Sequence, residues 1–413
     1  MKNKKIVFKL RQFPHLSETF ILAQIITAIN SGYEVKLIIS ELLDFETSKQ
    51  ADLLTKYEIN KKIIVEDYSI PKGKIIRFLK WMMLLIINFK NVKQIFYYYR
   101  GNSKFSLTWL YQWSFYNQFN NVDIFHVQYG TNSQILSLLK KVGFKPSLVV
   151  SFHGHDVFFP LNGFISNNGY YNNLFKYGDL MVANTPYLAE LIIELGCPIE
   201  KLRIIPVGVD TDFFYPKKRE RTEKIYKLIT VGRLNIVKGH IYVLEVVKKL
   251  KRNGLDVEMT IVGEGPEREK LESYIKDNNL QDSIVLVGAK SREEIRELLW
   301  QNDIFLFSSV SLHGGKSTET QGLATIEAMA CGLPAVVFDS GGVKYTLEDG
   351  ISGYICSEYD NDCMACKIKI LIDDFVKFKE MSNQAVTFVN KKFSQQSIDY
   401  KWEILYNTLS DGK

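Results

Sequence analysis

Short apolar runs alternate with amphipathic stretches along nearly the whole chain. The first half contains the strand-like runs KIVFKL, YEVKLIIS, VDIFHVQ, SLVVSF, DLMVAN and KLRIIPV, and the second half contains KLITVG, VEMTIVG, SIVLVG, DIFLFSS and LPAVVF. Apolar strands that are separated by helical patterns are typical of parallel α/β sheets. The pattern therefore predicts an α/β protein with one parallel sheet in each half.

A turn and a charged run separate the two sets of strands. The turn spans residues 208–216 (GVDTDFFYP), and the charged run KKRERTEK follows it. We predict a first domain over 1–206 and a second over 207–395, and we expect a C-terminal helix at about 396–413 to pack back on the first domain. Parallel sheets bind ligands at the carboxyl ends of their strands, so the chemistry is expected in the loops that follow strands.

The charge of the chain is distributed unevenly. The formal net charge of +6 is modest and gives no reason to expect nucleic acid as a partner. Residues 70–122 contain no Asp or Glu, yet they carry eight cations: Lys72, Lys74, Arg77, Lys80, Lys90, Lys93, Arg100 and Lys104. The longest apolar run, Trp81 to Phe89, is too short to span a bilayer. With no signal peptide visible and five scattered cysteines, we expect a cytoplasmic protein with reduced thiols.

Residues 313–327 (HGGKSTETQGLATIE) contain two possible phosphate chemistries. Gly315-Lys316-Ser317 resembles the end of a nucleotide-triphosphate loop, but that loop needs a glycine at position 310, where this chain has Val310. The second possibility is the pair of carboxylates Glu319 and Glu327. We favour the second, because the triphosphate loop should also precede a helix directly and here a polar segment intervenes.

The residues around this pair carry a family resemblance. Glu319, Gly322 and Glu327 precede the run AMACGLP at 328–334. Two glutamates with seven residues between them, followed by Ala-Met-Ala-x-Gly-x-Pro, resemble the retaining glycosyltransferases of family 4. The resemblance implies the GT-B fold, in which two Rossmann-like parallel-sheet domains face a central cleft. FPHLSETF at 13–20 and HVQYG at 126–130 resemble a subgroup that acts in bacterial exopolysaccharide, capsule and O-antigen assembly.

The resemblance also implies roles for individual residues. Arg233 and Lys238 would hold the diphosphate of a sugar nucleotide, since Arg offers a planar fork of donors and Lys a point charge. Glu319 would bind hydroxyls of the donor sugar, Glu327 the ribose hydroxyls, and His153 would approach the donor sugar. The other expected contacts are Ser17 at a helix start, Gly263 beside the nucleotide, Gly288 and Lys290 near the base, and the backbone N–H groups of Gly322, Leu323 and Ala324.

Several features leave alternatives open. His153 and His155 in the segment FHGHD could instead bind a metal, although among the other loops only His126 adds a ligand, so we favour the donor-sugar role. Asp156 could bind the acceptor or cap the helix that follows. Thr320 stands where the family usually has Gly, and its side chain could narrow the donor pocket.

The expected activity is transfer of a sugar from a UDP-linked donor to a hydroxyl of a growing surface-polysaccharide glycan carried on a lipid, with retention of configuration. The leaving phosphate takes the acceptor's proton in the mechanism inferred for this family, so no cofactor and no metal is expected. The alternatives are a non-catalytic glycan- or partner-binding protein, or a UDP-sugar epimerase or phosphorylase on the same fold.

The acid-free stretch at 70–122 suggests where the protein works. Basic residues interleaved with Trp81, Tyr97, Trp109 and other apolar side chains suit peripheral binding to an anionic membrane at the inner face of the cell. The alternative is that Trp81 to Phe89 form a buried helix and that the cations are its solvated rim. We favour the membrane, because the sugar end of a lipid-linked acceptor lies at that surface.

Overall fold

The structure of the protein, a computed structural model, describes residues 4–14, 19–45, 50–101, 105–217, 225–312 and 317–411. It divides into two compact units, each built around a parallel sheet. Unit 1 comprises Met1–Ala183, Ala189–Ile205 and Asp399–Lys413, and unit 2 comprises Asn184–Leu188 and Pro206–Ile398.

The sheet of unit 1 has seven strands in the order β3-β2-β1-β4-β5-β6-β7, and every pairing is parallel. Its central strands are buried on both faces, as helices on both sides of a parallel sheet require. The strands are β1 (Lys5–Phe13), β2 (Glu34–Leu42), β3 (Ile63–Val65), β4 (Ile124–Gln128), β5 (Ser147–Ser151), β6 (Leu180–Ala183) and β7 (Leu202–Ile204). The helices along this part of the chain are α1 (Thr19–Asn30), α2 (Ala51–Lys56), α3 (Lys74–Ile87), α4 (Val92–Arg100), α5 (Thr108–Asn117), α6 (Gln134–Lys141), α7 (Asn172–Tyr177) and α8 (Pro186–Glu194).

The sheet of unit 2 has six parallel strands in the order β10-β9-β8-β11-β12-β13. The strands are β8 (Tyr226–Val231), β9 (Val257–Val262), β10 (Ile284–Gly288), β11 (Ile304–Phe307), β12 (Ala335–Phe338) and β13 (Gly353–Cys356). The helices are α9 (His240–Arg252), α10 (Arg268–Asp277), α11 (Arg292–Gln301), α12 (Leu323–Ala330), α13 (Asn361–Asp373), α14 (Phe375–Lys392) and α15 (Gln395–Asp411). The predicted architecture of two Rossmann-like parallel sheets is therefore confirmed.

The strand order reverses once in each sheet, between β1 and β4 in unit 1 and between β8 and β11 in unit 2. At such a point the loops that leave neighbouring strands turn to opposite faces, which opens a crevice at the carboxyl ends of the strands. In unit 2 these loops begin at Gly232 and at Ser308. In unit 1 one of them begins at Tyr129.

The last helix, α15, is divided between the two units. Its residues up to Ile398 belong to unit 2, and from Asp399 onward it is part of unit 1. The Thr27 hydroxyl of α1 donates to Asp399, and Tyr406 is fully buried with its hydroxyl 2.9 Å from Nδ1 of His126. These contacts fasten the end of the chain to the β4 side of the first sheet.

The expectation that all five cysteines are reduced is wrong at one pair. Cys356 at the end of β13 and Cys363 at the start of α13 form a disulfide. Cys363 is therefore bonded to Cys356 and not to Cys366, the other half of its C-x-x-C sequence, which is free and exposed.

Candidate active site

Three loops lie side by side at the carboxyl end of the second sheet. The amide of Gly232 donates to the Val262 carbonyl at 2.9 Å, and the amide of Gly263 donates to the Gly288 carbonyl at 2.9 Å. The loops after β8, β9 and β10 are thereby joined edge to edge. Gly263 and Gly288, predicted from widely separated segments, come together in this way with the loop that carries Arg233.

Close backbone packing explains the glycine at position 263. Its φ is +146°, and a Cβ atom there would lie 1.9 Å from the Gly232 carbonyl oxygen. No other residue can adopt this conformation in that space. The glycine is therefore required by the contact between two loops, whatever ligand they bind.

Lys238 and Glu319 meet where the strand order of unit 2 reverses. Lys238 ends a short 3₁₀ turn after β8, and the following Gly239 passes so close to β11 that a Cβ atom would lie 2.0 Å from the Ser308 carbonyl oxygen. The Lys238 ammonium forms an ion pair with the Glu319 carboxylate and lies 4.9 Å from the centre of the Phe307 ring. Their side chains are only 20% and 18% exposed. The structure thus brings two of the predicted catalytic residues into direct contact.

Glu319 is also tied to the helix that follows it. Its Oε1 accepts a hydrogen bond from the Gly322 amide at 3.0 Å, and Gly322, with φ of +83°, is the residue from which α12 begins. Burial acts to raise the pKa of Glu319, but the Lys238 charge and the hydrogen bonds outweigh burial and hold that pKa below its ordinary value. The carboxylate is therefore ionised at neutral pH. Leu323 and Ala324, whose amides were expected to meet the donor, form the half-buried first turn of the same helix.

Glu327 lies on the next turn of α12, in a different electrostatic setting. Burial raises the pKa of Glu327 to about 7, and the positive charge of Arg292 offsets only part of this effect. Arg292 begins α11, which follows the β10 loop, and its guanidinium is 3.6 Å from the Asp210 carboxylate. The second glutamate is thus a carboxyl group that titrates near neutrality.

The two remaining cations of the predicted donor site differ in their surroundings. Arg233 is exposed and makes no ion pair with any residue that the structure describes. Lys290 lies 3.1 Å from the Glu294 carboxylate, and Glu294 also completes a capping box with Ser291 at the start of α11. Arg233 is therefore available to an anion, whereas Lys290 has a carboxylate neighbour in the first turn of the helix that follows it.

His153 lies in unit 1, just after β5, in a tightly held loop. The fully buried Asp156 accepts backbone N–H bonds from His153, Gly154 and Gly130 at 3.0, 2.9 and 2.8 Å. Asp156 therefore fixes the loop, and the expectation that it caps a following helix is wrong, because the next helix begins only at Asn172. Burial lowers the pKa of His153 to about 4 despite the opposing charge of Asp156, so the imidazole is neutral at pH 7.

Gln128 was missed by the sequence analysis. Its Oε1 lies 2.8 Å from Nε2 of His153, and its side-chain N–H group donates to Gln24. Two residues earlier on the same strand, Nε2 of His126 lies 2.8 Å from the Ser151 hydroxyl. A signal for this network was present, because polar side chains two residues apart on a fully buried strand need internal hydrogen-bond partners.

A cavity of about 470 Å³ lies at the carboxyl end of the first sheet. Its polar lining includes Arg11 and Gln12 from β1, Ser40 from β2, Asn132 after β4 and His155 after β5, with the rings of Tyr129 and Tyr170. Hydroxyl, amide and aromatic groups of this kind suit a sugar, which needs many hydrogen bonds and a flat apolar surface.

Some predicted features are not described by the structure. Ser17, Lys104 and the triphosphate-like residues 313–316 lie outside the described residues. Within the described ranges, no group of three or more His, Cys, Asp or Glu side chains is arranged to hold a metal ion.

Two parallel α/β units, with loops converging on the strand ends of each, define the GT-B class of glycosyltransferase folds. A structure of HepE from Anabaena in complex with UDP has this fold, with a TM-score of 0.69 at 16% identity over 99% of this chain and 100% of that one. Residues 212–387 match the family model "Glycosyl transferases group 1", and residues 68–213 match the model "Glycosyltransferase Family 4". The chain belongs to the glycosyltransferase family that these two models describe.

Two relatives resemble the chain over most of its length. The amylovoran biosynthesis glycosyltransferase AmsK of Erwinia amylovora is 29% identical over 87% of this chain and 89% of its own. WcaL of Escherichia coli strain K12, named for colanic acid biosynthesis, is 28% identical over 98% of this chain and 100% of its own.

Proposed function

We propose that this glycosyltransferase moves a sugar from a UDP-linked donor to a hydroxyl of a growing surface-polysaccharide glycan, with retention of configuration. The names of AmsK and WcaL support the polysaccharide class of the product. The UDP complex of HepE, a protein of the same fold, supports the choice of nucleotide. The observation that carries the proposal is the largely buried Lys238–Glu319 pair, one-fifth exposed, where the strand order of unit 2 reverses.

The pair supports the chemistry because transfer separates charge in a predictable way. The bond between the sugar and the diphosphate breaks, and negative charge builds on the leaving phosphate. The Lys238 ammonium, which its ion pair holds in place, stabilises that charge without needing to reorganise, and the exposed guanidinium of Arg233 adds a second positive charge. Glu319, held ionised, accepts hydrogen bonds from sugar hydroxyls and orients the ring for attack. The leaving phosphate takes the proton of the acceptor hydroxyl on the same face, so neither a protein base nor a metal ion is needed.

The acceptor end of the proposal rests on unit 1. The polar cavity beside Tyr129 and Tyr170 has the groups that a glycan end requires, and the neutral His153 lies after the neighbouring strand. We propose a lipid-linked acceptor, with the enzyme at the cytoplasmic face of an anionic membrane and the stretch 70–122 as its contact. Among the residues that the structure describes, no helix is both long and apolar enough to cross a bilayer.

A transfer assay tests the proposal. The protein is incubated with a panel of UDP-sugars and a lipid-linked acceptor, after a thermal-shift screen has chosen the donor that binds. We expect free UDP and a longer glycan to appear together in the presence of acceptor. Sugar interconversion without acceptor would indicate an epimerase, consumption of inorganic phosphate a phosphorylase, and binding without turnover a non-catalytic protein.

A further inference from the structure

Helix α3 presents large apolar side chains to solvent, whereas a helix that packs on a core buries them. None of its residues is buried, and the side facing solvent is apolar: Ile75, Leu79, Met83 and Ile86 are 77%, 62%, 49% and 68% exposed. These positions are three or four residues apart and therefore form one face of the helix. The alternative expectation, that Trp81 to Phe89 form a buried helix with a solvated basic rim, is wrong.

The inward side of α3 carries both of its half-buried cations, Arg77 and Lys80, together with Trp81, and the rest of unit 1 holds that side. The Arg77 guanidinium donates to the Pro71 carbonyl, the Lys80 ammonium to the Ser69 carbonyl, and the Trp81 indole to the Tyr99 hydroxyl, at 2.9, 2.7 and 2.9 Å. The Tyr111 hydroxyl donates to the Arg77 carbonyl. These contacts fix the rotation of α3 about its own axis. Because the side with Arg77, Lys80 and Trp81 is bound, the side with Ile75, Leu79, Met83 and Ile86 points outward.

The exposed apolar surface is large for a protein of this kind. Nearly half of the large hydrophobic side chains that the described residues expose lie between residues 75 and 105, where they continue from α3 through Phe89, Val92 and Phe96. The exposed apolar area of α3 alone is on the order of 800 Å², above the few hundred Å² usual for the largest patch of a soluble monomer. Some of the aromatic residues counted in the sequence stretch do not contribute, because Tyr98 and Trp113 are buried.

We infer that α3 is a membrane-inserting helix, which lies in the plane of an anionic leaflet with its apolar face in the acyl boundary. This inference deepens the proposed function, because it names the element and the mode of membrane contact. Lys72, Lys74, Lys90 and Lys93 flank the helix at both ends, and all four are exposed. An inserted helix needs cations at the level of the lipid headgroups, and these residues supply them.

Charge and residue type favour a bilayer over a protein partner. At the average frequency of the chain, a stretch of 53 residues would carry about six acidic residues, yet 70–122 carries none. A protein partner does not require the absence of one sign of charge, whereas an anionic leaflet repels every carboxylate. The exposed large side chains of α3 are Ile, Leu, Met and one Phe, which partition into hydrocarbon, rather than the Trp, Tyr and Arg that anchor protein interfaces.

Vesicle sedimentation with matched variants tests the inference. The full chain is mixed with phosphatidylglycerol–phosphatidylcholine vesicles at low salt and at ~1 M salt, where exposed charges are screened. The double variant Ile75→Asp/Met83→Asp removes the apolar face, and Ile199→Asp is its control, since Ile199 is 73% exposed in unit 1 outside the stretch. All these positions are exposed, so the melting temperatures should match that of the wild type.

We expect the wild type and Ile199→Asp to bind anionic vesicles and to keep a measurable part of that binding at high salt. The double variant should bind at least tenfold more weakly at both salt concentrations. Equal binding of the double variant would overturn the inference. A second result would also overturn it: the wild type forms dimers, the double variant is monomeric, and neither binds vesicles. The apolar face of α3 would then be an interface between two copies of the chain.

Turnover separates this inference from the proposed function. With a short water-soluble acceptor, the double variant should transfer sugar at the wild-type rate, since α3 contacts lipid and not the donor. If the wild type binds vesicles but never turns over, the membrane helix stands and the proposed reaction fails. If turnover occurs and vesicle binding does not, the reaction stands and the inference about α3 fails.

Discussion

Replacing Lys238 by Met removes one charge from the partly buried Lys238–Glu319 ion pair and keeps the approximate length of the side chain. The Glu319 carboxylate then keeps the backbone hydrogen bonds from Gly322 and Gln321, and it loses the one cation that it pairs with among the described residues. Breaking a fully buried pair costs about 3–5 kcal/mol, because one charge remains buried without its partner. Both side chains here are about one-fifth exposed, so we expect Lys238→Met to lower the free energy of unfolding by about 2–3 kcal/mol.

Arg233 supplies the matched control. From the sequence, either cation could be removed with the fold unchanged, because surface charges rarely contribute stability. The structure limits that expectation to Arg233, which is exposed and unpaired among the described residues. Arg233→Met should change the free energy of unfolding by no more than about 0.5 kcal/mol.

The measurement must report on unit 2 alone, since a chain of two units need not unfold in one step. Amide hydrogen exchange of unit 2 peptides at increasing urea gives the opening free energy of that unit. A double-mutant cycle also needs Glu319→Gln and the double variant Lys238→Met/Glu319→Gln, in which both charges of the ion pair are gone. We expect a coupling energy of about 2 kcal/mol between the two sites. Additive costs in the double variant, or equal costs for Lys238→Met and Arg233→Met, would refute the account of the pair.

Three further predictions concern turnover and pH. Arg233→Ala should lower turnover a hundredfold or more, about 3 kcal/mol of transition-state stabilisation, and wild-type rates would remove Arg233 from the donor site. Transfer should persist in excess EDTA, whereas loss that Mn²⁺ or Mg²⁺ restores would revive a metal role for His153 and His155. Glu327 has a folded pKa of about 7 against an ordinary 4.5, so the folded state binds its proton more tightly, and stability falls as pH rises between those values. Glu327→Gln should therefore stabilise unit 2 at pH 8 by up to about 3 kcal/mol and have little effect at pH 4, as measured by hydrogen exchange of unit 2 peptides in urea; an equal effect at both pH values would contradict the shift.

The positions of most strands along the chain and the glutamate pair were accessible from the sequence because both depend on local pattern. Short, mainly apolar runs rich in β-branched or aromatic residues, such as SLVVSF and LPAVVF, favour buried strands, and they contain β5 and β12 in the structure. β3 and β13 were not predicted, although they are no shorter than β7 and β12, which were. The glutamate spacing predicted a site, and the structure adds that Glu319 is already paired with Lys238.

The rest depends on three-dimensional neighbours that no local pattern reveals. Gln128 and His153 are 25 residues apart, and only the pairing of β4 with β5 brings their side chains together. The composition of α3 is compatible with a buried or an exposed apolar face, because periodicity gives the two faces but not which one meets the protein. The contacts of Arg77, Lys80 and Trp81 decide that question, and they come from residues on the preceding turn and on neighbouring helices.

The stereochemistry of the transferred bond tests the central claim most directly. The protein is supplied with the UDP-sugar that it binds and with a lipid-linked acceptor, and proton NMR follows the anomeric signals of donor and product. We predict one UDP released for each new glycosidic bond, with the anomeric configuration of the donor preserved. Inversion of that configuration, or release of free sugar with no glycosidic product, would contradict the account.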